Sequence, residues 1–201
     1  MSDERSIRRV ALLGNHLPRQ CGIATFTTDL SDAIASLSSD LDCFVLAMND
    51  GRHQHAYPPR VRFELADNDA GAYTRAADFL NVNAVDVISL QHEYGIFGGK
   101  AGSHVFALLR ELRMPIVTTL HTILGDPTPS QRAAMDELAR LSTRLVVMSA
   151  HGGVLLRDVY GVSEHKIDVI PHGIPSVPSA APSKDQLGVA GKSVILTFGL
   201  L

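Results

Sequence analysis

No apolar run in this chain approaches the ~18 residues needed to cross a membrane. The segment Met1–Gly14 passes from charged residues straight into a short apolar stretch, without the apolar core of a secretion signal. Cysteine is scarce: Cys21 and Cys43 alone give no disulfide framework and suit a reducing compartment. Charge is modest as well. Charged residues make up 19% of the 201, and the net charge of −3 argues against nucleic acid or an anionic membrane as the main partner. There is no internal repeat, and no low-complexity tract beyond a Pro/Ser-rich stretch near the C-terminus. What remains is a soluble globular chain, expected in the cytoplasm. Its 45% hydrophobic content is enough for the core of one to two domains.

Apolar runs of strand length recur along the chain, separated by segments of helical period. Strands are expected over Arg8–Gly14, Asp42–Met48, Val61–Leu65, Val85–Leu90 and Pro115–Leu120, then in "RLVVMSA" and "KIDVIPHG". A first helix is marked by Ile23, Phe26, Leu30, Ala33, Ile34 and Leu37 at i, i+3, i+4 spacing. Further helices are expected over Ala70–Val82, Ser103–Arg113, Gln131–Leu141 and Gly152–Tyr160. Strands apolar on both faces that alternate with helices indicate a parallel sheet covered on both sides. The expected fold is a doubly wound, Rossmann-like α/β domain over residues 1–174. Pro175, Pro178 and Pro182 among Ser and Ala give residues 175–192 the composition of a linker. Residues 193–201 then read as one more strand, apolar from Val194 on.

In open parallel sheets, ligands bind beyond the carboxyl ends of the strands. His16, His92, His121 and His172, four of the nine histidines, each fall just past a strand end. Either His121 is a half-buried histidine satisfied by a backbone carbonyl, or it is a hydrogen-bonding group at the ligand, ionising near neutrality. A metal site is not expected. Its ligands would come from four separate loops, with no His-x-His or His-x-x-x-His pair among the four to anchor them. In "PRQCGIATF", Gly22 opens the first helix, where its own N–H and that of Ile23 could meet an anion. The pattern is neither G-x-G-x-x-G nor a P-loop, so the glycine could equally ease a tight turn. Arg19 is a phosphate partner or a solvated loop charge. In "QHEYGIFGG", Gln91, His92, Glu93 and Tyr94 supply donors, acceptors and an aromatic face suited to a polyhydroxylated ligand. A purely structural loop is the competing reading.

Together these stretches resemble, in order, the N-terminal half of a GT-B fold glycosyltransferase of family 4 (group 1). "VALLGNHLPRQCGIATFTTDLSDAI" looks like that family's opening, and "QHEYGIFGG" like a subgroup's acceptor-side loop. "PIVTTLHT" looks like its strand ending in a functional histidine, and "KIDVIPHGI" like its strand into the interdomain linker. Cys21 stands where the family often has a second glycine, and His172 where it usually has asparagine. The resemblance implies a retaining, metal-independent hexosyltransferase that uses a nucleotide-sugar donor and no cofactor. His121 would be catalytic; Gly22, Ile23 and Arg19 would bind the donor phosphates; His16, His92, Glu93 and Tyr94 would bind a saccharide or glycolipid acceptor. The loop subgroup points to GDP-mannose, and peripheral membrane contact fits a glycolipid. It also implies that residues 193–201 begin a second, donor-binding domain carrying the nucleotide pocket, so that this chain alone would be inactive. Alternatives are an epimerase or phosphorylase of the same fold, or a non-catalytic sugar- or nucleotide-binding domain.

Overall fold

The computed structural model describes residues 6–51, 55–174 and 184–195. The first strand, β1 (Arg9–Gly14), turns Val10 and Leu12 to one face of the sheet and Ala11 and Leu13 to the other. Both faces of this strand are buried, which only a covered parallel sheet permits. There follow α1 (Gly22–Ala35), β2 (Asp42–Asn49), β3 (Val61–Ala66), α2 (Ala70–Val82), β4 (Val87–His92) and α3 (Val105–Leu109). The chain continues through β5 (Ile116–Leu120), α4 (Pro129–Leu141), β6 (Arg144–Val147), α5 (Ala150–Asp158) and β7 (Ile167–Val169). The seven strands are all parallel, in the order β3-β2-β1-β4-β5-β6-β7. This is the Rossmann-like, doubly wound sheet expected.

Leu30, Ile34 and Ala35 of α1 cover Val10, Leu12, Cys43 and Val45 on one face. The opposite face holds the larger core, in which Phe44, Leu46, Tyr73, Leu80, Leu90 and Leu108 are fully enclosed. Side-chain caps start three of these helices at the rim. Asp69 caps α2 through Gly71 N–H (2.9 Å), and Ser149 caps α5 through Gly152 N–H (3.1 Å). Thr128 and Gln131 form a reciprocal capping box on α4, with Pro129 in its first turn.

Several expected boundaries shift. β4 runs Val87–His92 rather than Val85–Leu90, so His92 closes the strand instead of following it. The apolar stripe extended the first helix to Leu37, but α1 stops at Ala35 and Leu37 is exposed. Ser36 returns its hydroxyl to Ala33 O at 2.7 Å, closing the last turn with a side chain. The helix expected over Ser103–Arg113 shrinks to Val105–Leu109. Gly98, Gly99, Ala101 and Gly102 all have positive φ, so the chain enters through a 3₁₀ turn at Lys100–Gly102. At its exit Asn81 of α2 takes Arg113 N–H (3.1 Å) and donates to Glu111 O (2.9 Å), backbone groups a longer helix would have used. The last expected strand is three residues long. Residues 175–183 of the expected linker lie outside the described residues, and 184–192 form turns. Of the expected terminal strand only Ser193–Ile195 are described; they pair with no described strand, and residues 196–201 lie outside the description.

The Gly98–Gly102 turn makes a sharp demand on sequence. A Cβ at Gly98 (φ 64°) would lie 2.0 Å from Asp67 O. Gly98→Ala is expected to lower the unfolding free energy by more than about 2 kcal/mol, left-handed strain adding to a clash with backbone. Ala101→Gly, which relieves a positive φ of 54°, should stay within about 1 kcal/mol of wild type. Urea titrations of both variants check this, and equal stabilities would mean that the turn is not held as described.

Candidate active site at the carboxyl rim of the sheet

From β1 the chain winds outward through β2 and β3, and then returns through α2 to place β4 on the other side of β1. The topological switch point therefore lies between β1 and β4, whose ends are in register at Leu13 and Leu90. The two loops leave this point side by side: Asn15–Cys21 from β1, and the Glu93 loop from β4. Next to them β5 delivers His121, whose backbone N–H reaches His92 O at 3.1 Å.

The first loop ends in a helix N-terminus. Cys21 is the N-cap; its Sγ accepts Ala24 N–H at 3.3 Å and also the Asn15 side-chain amide at 3.3 Å. The N–H groups of Gly22 and Ile23 have no acceptor among the described residues, and no acidic side chain stands in the first turn. The positive end of the helix dipole is thus left open. A Cβ at Gly22 would meet nothing within 4 Å, so the protein itself makes no steric demand for glycine there. Phe26, one turn further along, packs edge-on against the His121 ring at 4.9 Å and the His172 ring at 5.2 Å. This contact brings the start of α1, His121 and His172 into one place.

The histidines occupy distinct environments. His121 is half-buried, and its Nε2 lies 3.1 Å from Gln91 Oε1, so a side-chain amide satisfies it rather than a backbone carbonyl. Burial, and then nearby His172, push its pKa down to about 4; it is neutral at physiological pH. His92 is enclosed, stacked on Phe97 at 6.0 Å and edge-on to Tyr94 at 5.0 Å, with neither ring nitrogen hydrogen-bonded among the described residues. Burial, and then His121, push its pKa down to about 3. His16 is buried too. Its Nδ1 lies 2.6 Å from Leu17 O, and its Nε2 has no described partner. His172 is exposed on the far side of Phe26.

Glu93 holds its own loop: its carboxylate accepts Tyr94 N–H (2.9 Å) and the Thr122 hydroxyl. The buried Tyr94 hydroxyl makes no hydrogen bond of normal geometry among the described residues, but burial, and then the neighbouring Tyr160 hydroxyl, raise its pKa. Arg19 lies over the end of β2, 3.4 Å from Asp50 Oδ2 and 3.5 Å from Met48 O. Sequence reasoning did not single out Asn15, whose Oδ1 is a further buried atom without a described partner. Nor did it give roles to Phe26, Thr122 or the Gln91–His121 pair. Position alone could have raised Asn15, the first residue past β1. Among the described residues no group of three or more His, Cys, Asp or Glu is arranged to hold a metal ion, and no helix is long and apolar enough to cross a membrane.

A doubly wound parallel sheet, with an open helix N-terminus and buried polar atoms at its switch point, defines a ligand-binding Rossmann-like domain. The family model Glycosyltransferase Family 4 matches residues 21–176, and the chain belongs to that family. A solved glycosyltransferase from Rickettsia africae ESF-5 has a similar fold, with a TM-score of 0.52 at 14% identity, covering 84% of this chain and 44% of that one. This chain thus spans less than half the length of that protein. No curated protein matches it.

The enclosed histidines make acid stability testable. For His92 and His121 the folded pKa lies below the ordinary 6.5, so only the unfolded chain takes up these protons between about pH 6.5 and 4. Their contribution is fully present above that window and is lost as pH falls through it. Arginine-paired carboxylates such as Asp42, Asp168 and Glu137 have lowered pKa values and act further down, below their ordinary 3.8 to 4.5. His92→Phe removes two buried nitrogens without described partners while keeping a flat ring. It is expected to be at least as stable as wild type above about pH 6.5 and to lose less stability toward about pH 4.5. Urea midpoints across this range are the measurement, and an acid limb identical to wild type would mean that His92 is not the enclosed neutral group described.

Proposed function

We propose that this chain is the acceptor-side half of a retaining, metal-independent glycosyltransferase that moves a hexose from a nucleotide-sugar to a saccharide or glycolipid acceptor. The observation that carries the reading is a juxtaposition in a member of Glycosyltransferase Family 4. An open helix N-terminus at the switch point is joined through Phe26 to a histidine that burial keeps neutral.

The chemistry follows from charge. As the glycosidic phosphate bond breaks, negative charge grows on the leaving diphosphate. The N–H groups of Gly22 and Ile23, backed by the α1 dipole, are donors already oriented for it. Arg19 adds a cation by exchanging its contact with Asp50 for a phosphate oxygen. His121 sits beside the transferred sugar and hydrogen-bonds it in the transition state. The acceptor lies against His16, Glu93 and Tyr94, with His92 packed behind Tyr94. The partnerless His16 Nε2 and Asn15 Oδ1 are atoms that a hydroxyl-rich ligand would satisfy. A second Rossmann-like domain supplies the nucleotide pocket and further cations, and the enzyme works in the cytoplasm, with peripheral membrane contact for a glycolipid acceptor.

Three measurements test this reading. By calorimetry, the 201-residue chain should bind GDP-mannose or UDP-sugars no tighter than millimolar; a micromolar constant would mean that it carries the donor site unaided. In the full-length protein, His121→Ala should lower kcat by roughly 10²- to 10⁴-fold with little change in acceptor KM. A rise in KM alone would make His121 a binding residue. Gly22→Val should raise donor KM while melting within about 1 kcal/mol of wild type, because a Cβ there meets no atom within 4 Å but the side chain occupies the approach to the Gly22 and Ile23 N–H groups. Wild-type kinetics in that variant would remove α1 from the donor site.

A further inference from the structure

Gln91 is the last residue but one of β4, and its side chain is fully buried. The neighbouring strand makes room for it. A Cβ at Gly14 would stand 2.9 Å from Gln91 Cβ, 3.3 Å from its Cγ and 3.1 Å from Thr27 Oγ1 of α1. Only a residue without a side chain fits there, so the stem of Gln91 lies in a slot between β1 and α1. The amide at its tip is used at both ends. Its Nε2 donates to Ser89 Oγ at 2.9 Å, from the same face of β4 two residues earlier. Its Oε1 lies 3.1 Å from His121 Nε2.

We propose that Gln91 is a positioning residue which, anchored by Ser89 and the Gly14 slot, holds His121 in the tautomer protonated on Nε2, so that the ring meets its ligand as an acceptor at Nδ1. The inference rests on the reading of His121 as the group beside the transferred sugar. In the arrangement found, Ser89 Oγ accepts from the amide nitrogen and the atom facing His121 is the amide oxygen, which can only accept, so the imidazole proton belongs on Nε2. The ring is neutral, so its other nitrogen carries a lone pair, and no described atom pairs with Nδ1. A ring fixed in this way selects its ligand by hydrogen-bond polarity. It accepts from a hydroxyl and repels a phosphate oxygen, which has no proton to give. His121 is thereby matched to a sugar hydroxyl, while the diphosphate is left to the N–H groups of Gly22 and Ile23.

The test uses isotope-labelled histidine in this chain. Two-bond nitrogen–proton correlations at neutral pH separate the two tautomers, and the His121 signals are those lost in His121→Gln. Wild type is expected to show a protonated Nε2 and a bare Nδ1. Gln91→Met keeps the length but removes the acceptor, and should raise the Nδ1-protonated fraction severalfold. Gln91→Glu, which keeps an acceptor oxygen, should restore protonation at Nε2. Ser89→Ala frees the amide to turn, should move the signals as Gln91→Met does, and decides the matter alone if Gln91→Met does not fold. A wild-type His121 protonated on Nδ1, or signals unmoved in the Gln91→Met and Ser89→Ala variants that fold, would overturn the proposal. The role of His121 itself is judged separately by the turnover of His121→Ala in the full-length protein. A tautomer set by Gln91 beside unchanged turnover would keep the positioning and discard the catalytic reading.

Discussion

The structure depends on one constraint: parallel strands cannot be joined by a tight turn, so each connection must cross back over a face of the sheet. Here this sends every strand end to one rim, and the helices begin near the same rim. Backbone carbonyl ends, open helix N–H groups and the loops between them are gathered where the winding reverses beside β1. The site is a by-product of the connectivity. Val10 and Leu12 on one face, and Ala11 and Leu13 on the other, must all be buried for the sheet to form, and burying them puts Asn15, His16 and Gln91 next to one another's strands.

That position also sets the chemistry. Polar side chains at the rim are pushed into a low-dielectric region between packed loops. Histidines there surrender charge; His92 and His121 are both driven well below the ordinary imidazole pKa by burial first and by a neighbouring histidine second. A neutral imidazole has one donor and one acceptor, so which nitrogen holds the proton becomes a structural variable. The amide of Gln91 is placed to decide it. The open N–H groups at the start of α1, where no acidic side chain competes, lie apart from this histidine and are joined to it through Phe26. In the proposed function, hydroxyl recognition and anion stabilisation are divided between the two.

Much of this was legible in the residues. Apolar strands between helical periods fixed the fold class, because a strand buried on both faces has to be apolar throughout. The helix expected from about Ala70 to Val82 agrees with α2, where Asp69 caps the start and Asn83 the end. The rim itself was also located, because strand ends can be counted, although His92 closes β4 rather than following it and Asn15, Phe26 and Thr122 were not singled out. Misreadings came where side-chain hydrogen bonds outside the apolar pattern intervened. Asn81 of α2 claims the backbone beyond α3, and the Ser36 hydroxyl ends α1 before its apolar stripe does.

By itself the sequence determined the sheet, its helices and the rim at which chemistry collects, because periodicity and capping act over a few neighbouring residues. It could not determine how the rim residues divide their work. His16, His92, His121 and His172 look alike as strand-end histidines. One is shut in against Phe97, one is tied to Gln91, one is buried beside Leu17, and one is left exposed beyond Phe26. Some of those environments join residues far apart in sequence, 30 positions for Gln91 and His121. Only the pairing of β4 with β5, which sets Gln91 beside Thr119 and His92 beside Leu120, with Gly14 of β1 yielding space to Gln91, brings Gln91 and His121 within hydrogen-bonding distance.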